Sequence, residues 1–359
     1  MKPAVPFRTP EREPPAELTE ETSVLPNLET SGRRVLITGA AGYTGLALAR
    51  HLLARGSAVR AMVRRPPSSP ELSQAGAEIV TGDVRDPEVV RRALEGVHTV
   101  YHLAAVFRRA GVPDSEYRTV HVDATRQLVE CSAAAGVSRF VHCSTVGVHG
   151  DVGSDGPATE DAPLQPGDIY QQTKLEGEQM ALATAEQVGL PLTVVRPGPI
   201  YGPGERRFLK MIGGVARRRF MLVGDGSPRF QMVYVEDLVE GIRLAGETPS
   251  AVGRTYILTG DEAPTLNELV SEIAEVAHVS APRWHVPVWP VWLVGALCEA
   301  ICVPFRIEPP IFRRRVKFFT SNRWFDTSRA RTELGFAPKM HLRDGLSRTL
   351  ESYRELGWV

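Results

Sequence analysis

The stretch RRVLITGAAGYTGLALARHLLARG, residues 33–56, decides the fold class of this chain. Its apolar run at 35–37 is typical of a buried parallel strand. Glycines then follow at three-residue steps, and an apolar face with helical spacing covers 46–53 before Gly56 ends it. The order strand, glycine turn, helix predicts a nucleotide site. Glycines let the backbone approach a pyrophosphate, and the helix N-terminus offers it free N–H groups.

Further apolar segments along the chain repeat the pattern of a strand followed by a helix, at 57–63, 77–86, 97–105 and 139–150. This alternation predicts an α/β fold with a doubly wound parallel sheet of the Rossmann type, whose ligand lies at the carboxyl ends of the strands. We expect the NAD(P)-binding Rossmann domain to comprise residues 32–196 plus 230–260. A smaller, interleaved substrate-binding part is expected at 197–229 plus 261–359.

Composition excludes several classes of function. The 42 Lys and Arg balance the 42 Asp and Glu, so no general attraction to nucleic acid is indicated. Four cysteines without metal-site spacing predict no metal centre and suit a reducing, cytoplasmic compartment. Residues 1–31 lack the apolar core of a signal peptide and are rich in Pro, Glu and Thr, which predicts a disordered extension.

The residues after the second and third strands bear on the choice of cofactor. Arg64 and Arg65 stand where a carboxylate would bind the ribose 2′-hydroxyl of NAD, and two arginines suit the 2′-phosphate of NADP. NAD remains the alternative if these arginines are only solvated loop residues. Asp83 lies just past a strand end, where its carboxylate can accept a hydrogen bond from an adenine amino group. The small residues at 103–105 allow close approach of the backbone to a cofactor.

A tyrosine and a lysine lie one helical turn apart in DIYQQTKLEGEQ, residues 168–179. Positions i and i+4 share a helix face, so Tyr170 and Lys174 are expected to be neighbours. A nearby cation favours the phenolate and would lower the pKa of the tyrosine, as proton transfer to or from an alcohol requires. The alternative is a solvated surface pair without function.

The motifs together resemble those of the extended short-chain dehydrogenase/reductases, over roughly residues 33–350. The motifs that carry the resemblance, in the order of that family, are TGAAGYTG (38–45), GDV (82–84), HLAA (102–105), CSTVGVHG (143–150), YQQTK (170–174), RPGPIYGPG (196–204), VYVEDLVEGI (233–242) and ELGFAP (333–338).

This resemblance implies Tyr170 as general acid/base and Lys174 as the group that stabilises its phenolate and binds the nicotinamide ribose. Thr145 matches the family's hydroxyl that bonds the reacting oxygen, with Ser144 as the neighbouring alternative. Besides Tyr170 and Lys174, the implied cofactor-binding residues are Gly39, Gly42, Tyr43, Thr44, Gly45, Arg64, Arg65, Asp83, Val84, Leu103, Ala104, Ala105, Pro197, Pro199 and Ile200.

Two positions depart from the family pattern. His121 occupies a stretch in which members often have asparagine, and it either replaces that residue's structural contacts or alters a proton path. A packing histidine with satisfied hydrogen bonds is favoured. His149 replaces the tyrosine of the usual VYG motif, with an expected effect on the substrate pocket.

Two segments in the second half bear on the substrate. The basic stretch at 206–220 favours a solvated face over contact with an anionic substrate. The segment 285–305 is almost continuously apolar and predicts a core or lid helix over an apolar substrate. Peripheral membrane contact through 286–305, beside the basic residues 313–317, is the alternative, and a transmembrane helix is less favoured.

The leading hypothesis is an NADP-dependent oxidoreductase that interconverts a hydroxyl and a ketone on a bulky apolar molecule. Resemblance to the branch of 3β-hydroxysteroid dehydrogenases and dihydroflavonol reductases implies a sterol or a related polycyclic alcohol. A nucleotide-sugar epimerase or dehydratase with the same catalytic centre is the alternative, with Arg229 available for a diphosphate. A non-catalytic NAD(P)-sensing protein is more remote. The resemblance also implies a homodimer as a common arrangement.

Overall fold

The computed structural model describes residues 33–65, 70–108, 111–282, 284–302 and 313–359, without the side chains of 313–315. The predicted extension at 1–31 and the end of the segment 286–305 lie outside the described residues. The strands are β1 (Arg34–Thr38), β2 (Ala58–Val63), β3 (Glu78–Thr81), β4 (Thr99–His102), β5 (Arg139–Cys143), β6 (Leu192–Pro197), β7 (Ile200–Tyr201), β8 (Leu222–Val223), β9 (Val233–Tyr234), β10 (Thr255–Leu258) and β11 (His285–Val286).

The helices are α1 (Tyr43–Ala54), α2 (Pro70–Gln74), α3 (Pro87–Leu94), α4 (Asp114–Arg118), α5 (Ala124–Ala134), α6 (Ile169–Val188), α7 (Leu209–Ala216), α8 (Val235–Glu247), α9 (Leu266–Val276), α10 (Val288–Cys302), α11 (Arg313–Thr320), α12 (Ser328–Leu334) and α13 (Leu342–Glu355). A π-helical turn at Thr119–Asp123 joins α4 to α5, and short 3₁₀ turns lie at Val146–His149 and Pro249–Ala251.

Within the described residues, seven parallel strands form one sheet in the order β10-β6-β5-β4-β1-β2-β3. Strand β1 pairs with both β2 and β4, so the direction of winding reverses there. A ligand crevice is expected at such a switch point, outside the carboxyl ends of the strands. The predicted doubly wound parallel sheet is confirmed.

Apolar layers cover both faces of this sheet, which explains the continuous apolar run in β1. Val35 and Ile37 pack on one face with residues of α1, α8 and α12. Leu36 points to the other face and packs with residues of α3, α5 and α6. Because successive side chains of a strand alternate between faces, only an unbroken apolar run buries both sides.

A third apolar cluster lies in the region where the substrate-binding part was predicted. It joins α7, α9 and α13 through residues such as Ile212, Leu269 and Leu350. The short strand pairs β7–β9 and β8–β11 accompany it. The division of the chain into a cofactor domain and a substrate part remains a prediction.

Helix α10 is an exposed apolar helix. Gly295 is its one buried residue, whereas the side chains of Trp289 and Ile301 are 70% and 64% exposed. The core alternative of the predicted core or lid helix is therefore wrong, because the apolar residues of α10 have too few packing partners to be covered, and the lid alternative remains a prediction. Along the described ranges, no helix combines the length and the apolar character that crossing a bilayer requires.

Candidate active site

The turn between β1 and α1 brings the ends of β1 and β4 into backbone contact. Gly39 has a φ of +72°, and a Cβ at this position would lie 2.8 Å from backbone atoms of Leu103 and Ala104. Gly45 lies in the first turn of α1, where a Cβ would come within 2.2 Å of the Gly39 carbonyl oxygen. Gly42 is the N-cap residue of α1, and because it has no side chain, it leaves the first N–H groups of the helix uncovered. This geometry leaves the helix N-terminus open to an anionic ligand.

A cleft of about 290 Å³ lies at the carboxyl ends of β1 to β4. Eight of the predicted cofactor residues line it, namely Gly39, Gly42, Arg64, Asp83, Val84, Leu103, Ala104 and Ala105. Sequence reasoning missed the other lining residues, which are Thr38, Ala41, Met62, Val63, Gly82, Val106 and Val120. Most of them are sequence neighbours of predicted residues, whereas Val120 comes from the π-helical turn and carries no sequence signal.

Other predicted cofactor residues lie outside the lining of this cleft. Tyr43, Thr44 and Gly45 begin α1, and the hydroxyl of Tyr43 is buried against Gly202. Arg65 directly follows Arg64, at the end of β2. Three more lie on the strand-ending loop at 197–200: Pro197 ends β6, Pro199 accepts a hydrogen bond from the N–H of Val233, and Ile200 pairs with Val233. The cofactor contacts of all these residues remain predictions.

Asp83 and Arg64 face the cleft together, but Asp83 also has a partner of its own. The Arg85 guanidinium donates hydrogen bonds to both carboxylate oxygens of Asp83, at 2.9 and 2.8 Å, which hold the pKa of this carboxyl below its usual value. Arg85 also bonds Glu116 at 3.1 Å. Asp83 therefore keeps its charge, and an adenine amino group would have to share it with Arg85.

Helix α6 carries the predicted Tyr170 and Lys174. Asp168 caps the helix, because its carboxylate accepts a hydrogen bond from the N–H of Gln171 at 2.9 Å. Lys174 is only 4% exposed, and its ammonium group donates to the carbonyl oxygen of Cys143 at 2.5 Å. This is its one hydrogen bond to the described residues. An ammonium group has three donors, so two are available to a ligand.

The ring of Tyr170 lies in an aromatic and cationic setting. Its centroid is 5.3 Å from that of Phe107 and 5.7 Å from that of His121, and the Arg108 guanidinium carbon lies 5.2 Å from it. Burial of the phenol raises the pKa of Tyr170 to about 12, against the opposing effect of Arg108 and then Arg207. The expectation that a neighbouring lysine lowers this pKa is therefore wrong for the chain alone. Desolvation outweighs the nearby cations, and the leading ones are arginines.

Thr145 lies on the loop that follows β5 and caps the short turn Val146–His149. Its hydroxyl oxygen accepts a hydrogen bond from the N–H of Gly147 at 3.1 Å. Gly147 in turn lies against the Gln171 side chain of α6, so this loop packs beside the helix of Tyr170. The alternative Ser144 is buried, and its hydroxyl has no hydrogen-bond partner within the described residues.

His121 is a buried histidine with both ring nitrogens engaged. Nε2 accepts a hydrogen bond from the N–H of Val106 at 3.0 Å. Nδ1 lies 2.9 Å from the Thr173 hydroxyl, which itself donates to the carbonyl of Ile169, so Nδ1 carries the proton. Burial, and then the charge of Lys174, lowers the pKa of His121 to about 3. These contacts favour the predicted packing role over a proton path.

His149 is buried in an ion-pair network behind the site. Its Nε2 lies 3.1 Å from Arg196, whose Nε is 3.2 Å from both carboxylate oxygens of Glu178. Its ring also packs near Phe325, with the centroids 5.8 Å apart. Burial first, and the charge of Arg196 second, lower the pKa of His149 to about 4. His149 therefore contacts buried groups behind the site, and its expected effect on the substrate pocket remains a prediction.

Two arginines beside Tyr170 were not predicted as site residues. Arg108 bonds Asp168 through Nε at 2.8 Å, and Arg207 bonds Glu205 through one terminal nitrogen at 2.5 Å. Their guanidinium carbons lie 5.8 and 5.3 Å from the centroid of Phe107. The basic stretch at 206–220, which is predicted to be a solvated face, includes Arg207, whereas no sequence motif pointed to Arg108.

Comparison with known proteins places this geometry in a family. The sequence profile described as "NAD dependent epimerase/dehydratase family" matches residues 35–258, more than half of the chain. The chain belongs to this family. A 2-alkyl-3-oxoalkanoate reductase of Stenotrophomonas maltophilia is 32% identical over 332 residues, covering 88% of this chain and 98% of that protein. Sterol demethylase protein B of Methylococcus capsulatus is 31% identical, covering 90% and 99%.

A similar solved structure extends the comparison to a bound cofactor. MoeE5 in complex with UDP-glucuronic acid and NAD has a TM-score of 0.71 and 28% identity, covering 90% of this chain and 99% of that one. The family match and the reductase named above show that the chain is an enzyme of the dehydrogenase/reductase type. A nicotinamide dinucleotide fits the features of this chain, because the glycine turn admits a pyrophosphate and Lys174 retains donors for ribose hydroxyls.

Proposed function

We propose that the protein is an NADP-dependent oxidoreductase that interconverts a hydroxyl and a ketone on a bulky apolar substrate, such as a sterol or related polycyclic alcohol. The observation that carries this proposal is the position of Tyr170 and Lys174 one turn apart on α6, with the Lys174 ammonium bonded to the end of β5. When bound, the nicotinamide supplies the acceptor or donor of hydride.

Three side chains of the protein transfer the proton and bind the reacting oxygen. Tyr170 takes the proton from an alcohol, or donates it to a ketone oxygen, and Lys174 stabilises the phenolate. Thr145 donates its hydroxyl hydrogen to the reacting oxygen, since its own oxygen already accepts from Gly147. In this proposal residues 32–196 plus 230–260 bind the cofactor, and 197–229 plus 261–359 bind the substrate.

The preference for NADP rests on Arg64. Arg64 lines the cleft and is the first residue after β2. Arg65 follows it, so no carboxylate stands at the end of this strand. Asp83 follows β3 and also lines the cleft, but its carboxylate is paired with the guanidinium group of Arg85. A guanidinium group at this place supports binding of a ribose 2′-phosphate.

The relatives support the bulky apolar substrate. One is named for a sterol and the other for an alkyl-substituted oxoalkanoate, and both are matched over nearly their whole length. The alternative is a nucleotide-sugar epimerase, which the likeness to MoeE5 favours. Against it, Arg229 is occupied: it stacks on Trp324 and donates to the carbonyl of Ala263 at 2.6 Å.

A fluorescence titration with NADPH and NADH, followed by a substrate panel, tests the proposal. The panel contains sterols, 2-alkyl-3-hydroxyalkanoates, flavanonols and UDP-sugars. We expect tighter binding of NADPH and net formation of NADPH with an apolar alcohol. Conversion of a UDP-sugar without net change in NADPH would establish the epimerase instead.

We also propose that α10 contacts a membrane surface. Trp289, Leu293, Leu297 and Ile301 recur every four residues along this helix, and each side chain is at least 46% exposed. Four apolar residues on one stripe, with tryptophan among them, suit an interfacial helix. A substrate of the proposed class would partition into such a surface.

A further inference from the structure

Two arginines lie beside Tyr170, and a third lies within range of the charge of one of them. Arg108 and Arg207 both lie over Phe107, whose side chain is 43% exposed and whose ring contacts Tyr170. Arg323 lies close enough for the charge of Arg108 to help lower its pKa, after burial, to about 10. Mutual repulsion of like charges in a partly desolvated place is unfavourable unless an anion joins them.

Each of the three arginines has a carboxylate nearby, but these carboxylates engage few of the N–H donors. Asp168 engages only Nε of Arg108, and Glu205 engages one terminal nitrogen of Arg207. Arg323 donates to the carbonyl oxygens of Phe318 and Ser321 at 3.2 Å, and the charge of Asp151 acts on it although the two form no ion pair within the described residues. Each guanidinium group has five N–H donors, so Arg108 and Arg207 are oriented by one bond while others remain available.

We propose that Arg108 and Arg207 bind a carboxylate of the substrate, and that the substrate is a bulky 3-hydroxy or 3-oxo acid. This inference rests on the proposed function and narrows its substrate class. If the guanidinium groups of Arg108 and Arg207 bind this carboxylate beside Tyr170, the neighbouring carbinol or ketone oxygen would lie at the phenol hydroxyl. In a 3-hydroxy acid the two groups are separated by a single carbon, which suits two arginines so close to the reacting position.

A carboxylate near the reacting carbon also explains how an otherwise apolar substrate can bind beside Arg108 and Arg207. The alkyl or ring portion would extend past Phe107, and the acid would remain at the arginines. UDP-glucuronic acid also carries a carboxylate, so the test includes it as a separate arm. Its diphosphate and uracil distinguish it from an apolar acid.

Calorimetric titration of the NADPH-saturated protein tests the inference without turnover, because a hydroxy acid cannot react with the reduced cofactor. The probes are a long-chain 2-alkyl-3-hydroxyalkanoate, its methyl ester, and UDP-glucuronic acid. We expect the acid to bind at least about tenfold more tightly than the ester, because a charge-assisted bond is about twice as strong as a neutral one. Equal affinity of acid and ester, or tighter binding of UDP-glucuronic acid than of the alkyl acid, would overturn the proposal.

Variants locate the carboxylate. Arg207→Gln and Arg108→Gln should each reduce the acid-to-ester affinity ratio by about tenfold, and Arg207→Lys should reduce it less because the charge is retained. Arg206→Gln is the matched control, since Arg206 stacks on Trp358, 4.6 Å from its ring centroid, and should keep the ratio. Equal loss for acid and ester in both Gln variants would refute the site.

Turnover of the same compounds distinguishes a failure of the proposed oxidoreductase function from a failure of the proposed carboxylate site. If the acid binds selectively but neither compound changes NADPH, the oxidoreductase function fails and the carboxylate site stands. If the ester and neutral sterols are oxidised as well as the acid, the function stands and the carboxylate site fails. Thermal melting of each variant identifies any loss of fold, in which case Arg207→Lys decides the question.

Discussion

The buried ammonium group of Lys174 donates a hydrogen bond to the carbonyl oxygen of Cys143, with 2.5 Å between the two atoms. Cys143 is the last residue of β5, so the bond fixes α6 against the carboxyl edge of the sheet. It places a positive charge at the edge where the dinucleotide cleft lies. Burial lowers the pKa of Lys174. Its ammonium group still has two N–H donors that are available to a ligand. One side chain thereby links the helix of Tyr170 to the proposed cofactor site.

Replacement of Tyr170 by phenylalanine should abolish turnover without loss of cofactor affinity. The substitution removes the hydroxyl and keeps the ring contacts with Phe107 and His121. We expect kcat to fall by about 10²- to 10⁴-fold, the usual contribution of a general acid/base, and the Kd for NADPH to change little. Tyr201→Phe, in the third apolar cluster, is the control and should retain activity. Retention of most of the rate by Tyr170→Phe would contradict its assigned role.

The pH dependence of the two directions should differ in sign. Alcohol oxidation needs the phenolate, and the pKa of Tyr170 is raised to about 12, so the ionised fraction is small at neutral pH. Log kcat/KM for oxidation should therefore rise with pH, by up to about one unit per pH unit below that pKa. Ketone reduction needs the protonated phenol, which is already present at neutral pH, and should decline only in alkali. Steady-state rates in both directions provide the measurement. An oxidation rate that falls between pH 7 and 9, with the protein still folded, would contradict this prediction.

Charge removal at Arg64 should change the choice of cofactor. If its guanidinium group binds the 2′-phosphate, Arg64→Ala should raise the Kd for NADPH by about tenfold, the loss of one charge-assisted contact. NADH lacks this phosphate, so its Kd should not change and serves as the internal control. Fluorescence titration of both nucleotides gives the ratio. An equal effect on the two affinities would show that Arg64 does not discriminate between them.

Local sequence patterns predicted those parts of the site in which neighbours in sequence are neighbours in space. The glycine turn, the strand-end residues such as Asp83 and the pair Tyr170–Lys174 are of this kind. Each depends on one turn, one strand end or one helix face. Eight of the predicted cofactor residues accordingly lie together in one cleft.

Features that depend on tertiary contacts could not be read from the sequence. Arg108 and Arg207 come from loops far apart in the chain and meet only over Phe107. The raised pKa of Tyr170 comes from desolvation by several segments, which no spacing reveals. Apolar composition likewise gave no means to distinguish a buried α10 from an exposed one, because the composition is the same and only the neighbouring elements differ.

Alanine at Gly39 should destabilise the protein and weaken nucleotide binding together. The position has a φ of +72°, and the added Cβ would lie 2.8 Å from the backbone of Leu103 and Ala104. We expect a loss of about 2–4 kcal/mol in the free energy of unfolding, the sum of left-handed strain and overpacking. Gly56→Ala is matched, because its φ is +81° and nothing lies within 4 Å of its Cβ. It should lose only about 1–2 kcal/mol. Denaturant unfolding measures both, and equal losses would show that the contact with β4 is unimportant.

Negative charge on the exposed stripe of α10 should release the protein from lipid surfaces. Trp289 and Leu297 are 70% and 55% exposed, so their replacement by glutamate should leave the fold intact. Insertion of a large apolar side chain contributes about 1.5–3 kcal/mol, so Trp289→Glu/Leu297→Glu should reduce the fraction that co-sediments with anionic vesicles at least tenfold. Val252→Glu, at a residue 42% exposed on a different element, is the control for charge alone. If the wild-type protein stays in the supernatant, or Val252→Glu releases as much protein as the double variant, α10 does not bind the membrane. Its apolar stripe would then be available to cover the substrate instead.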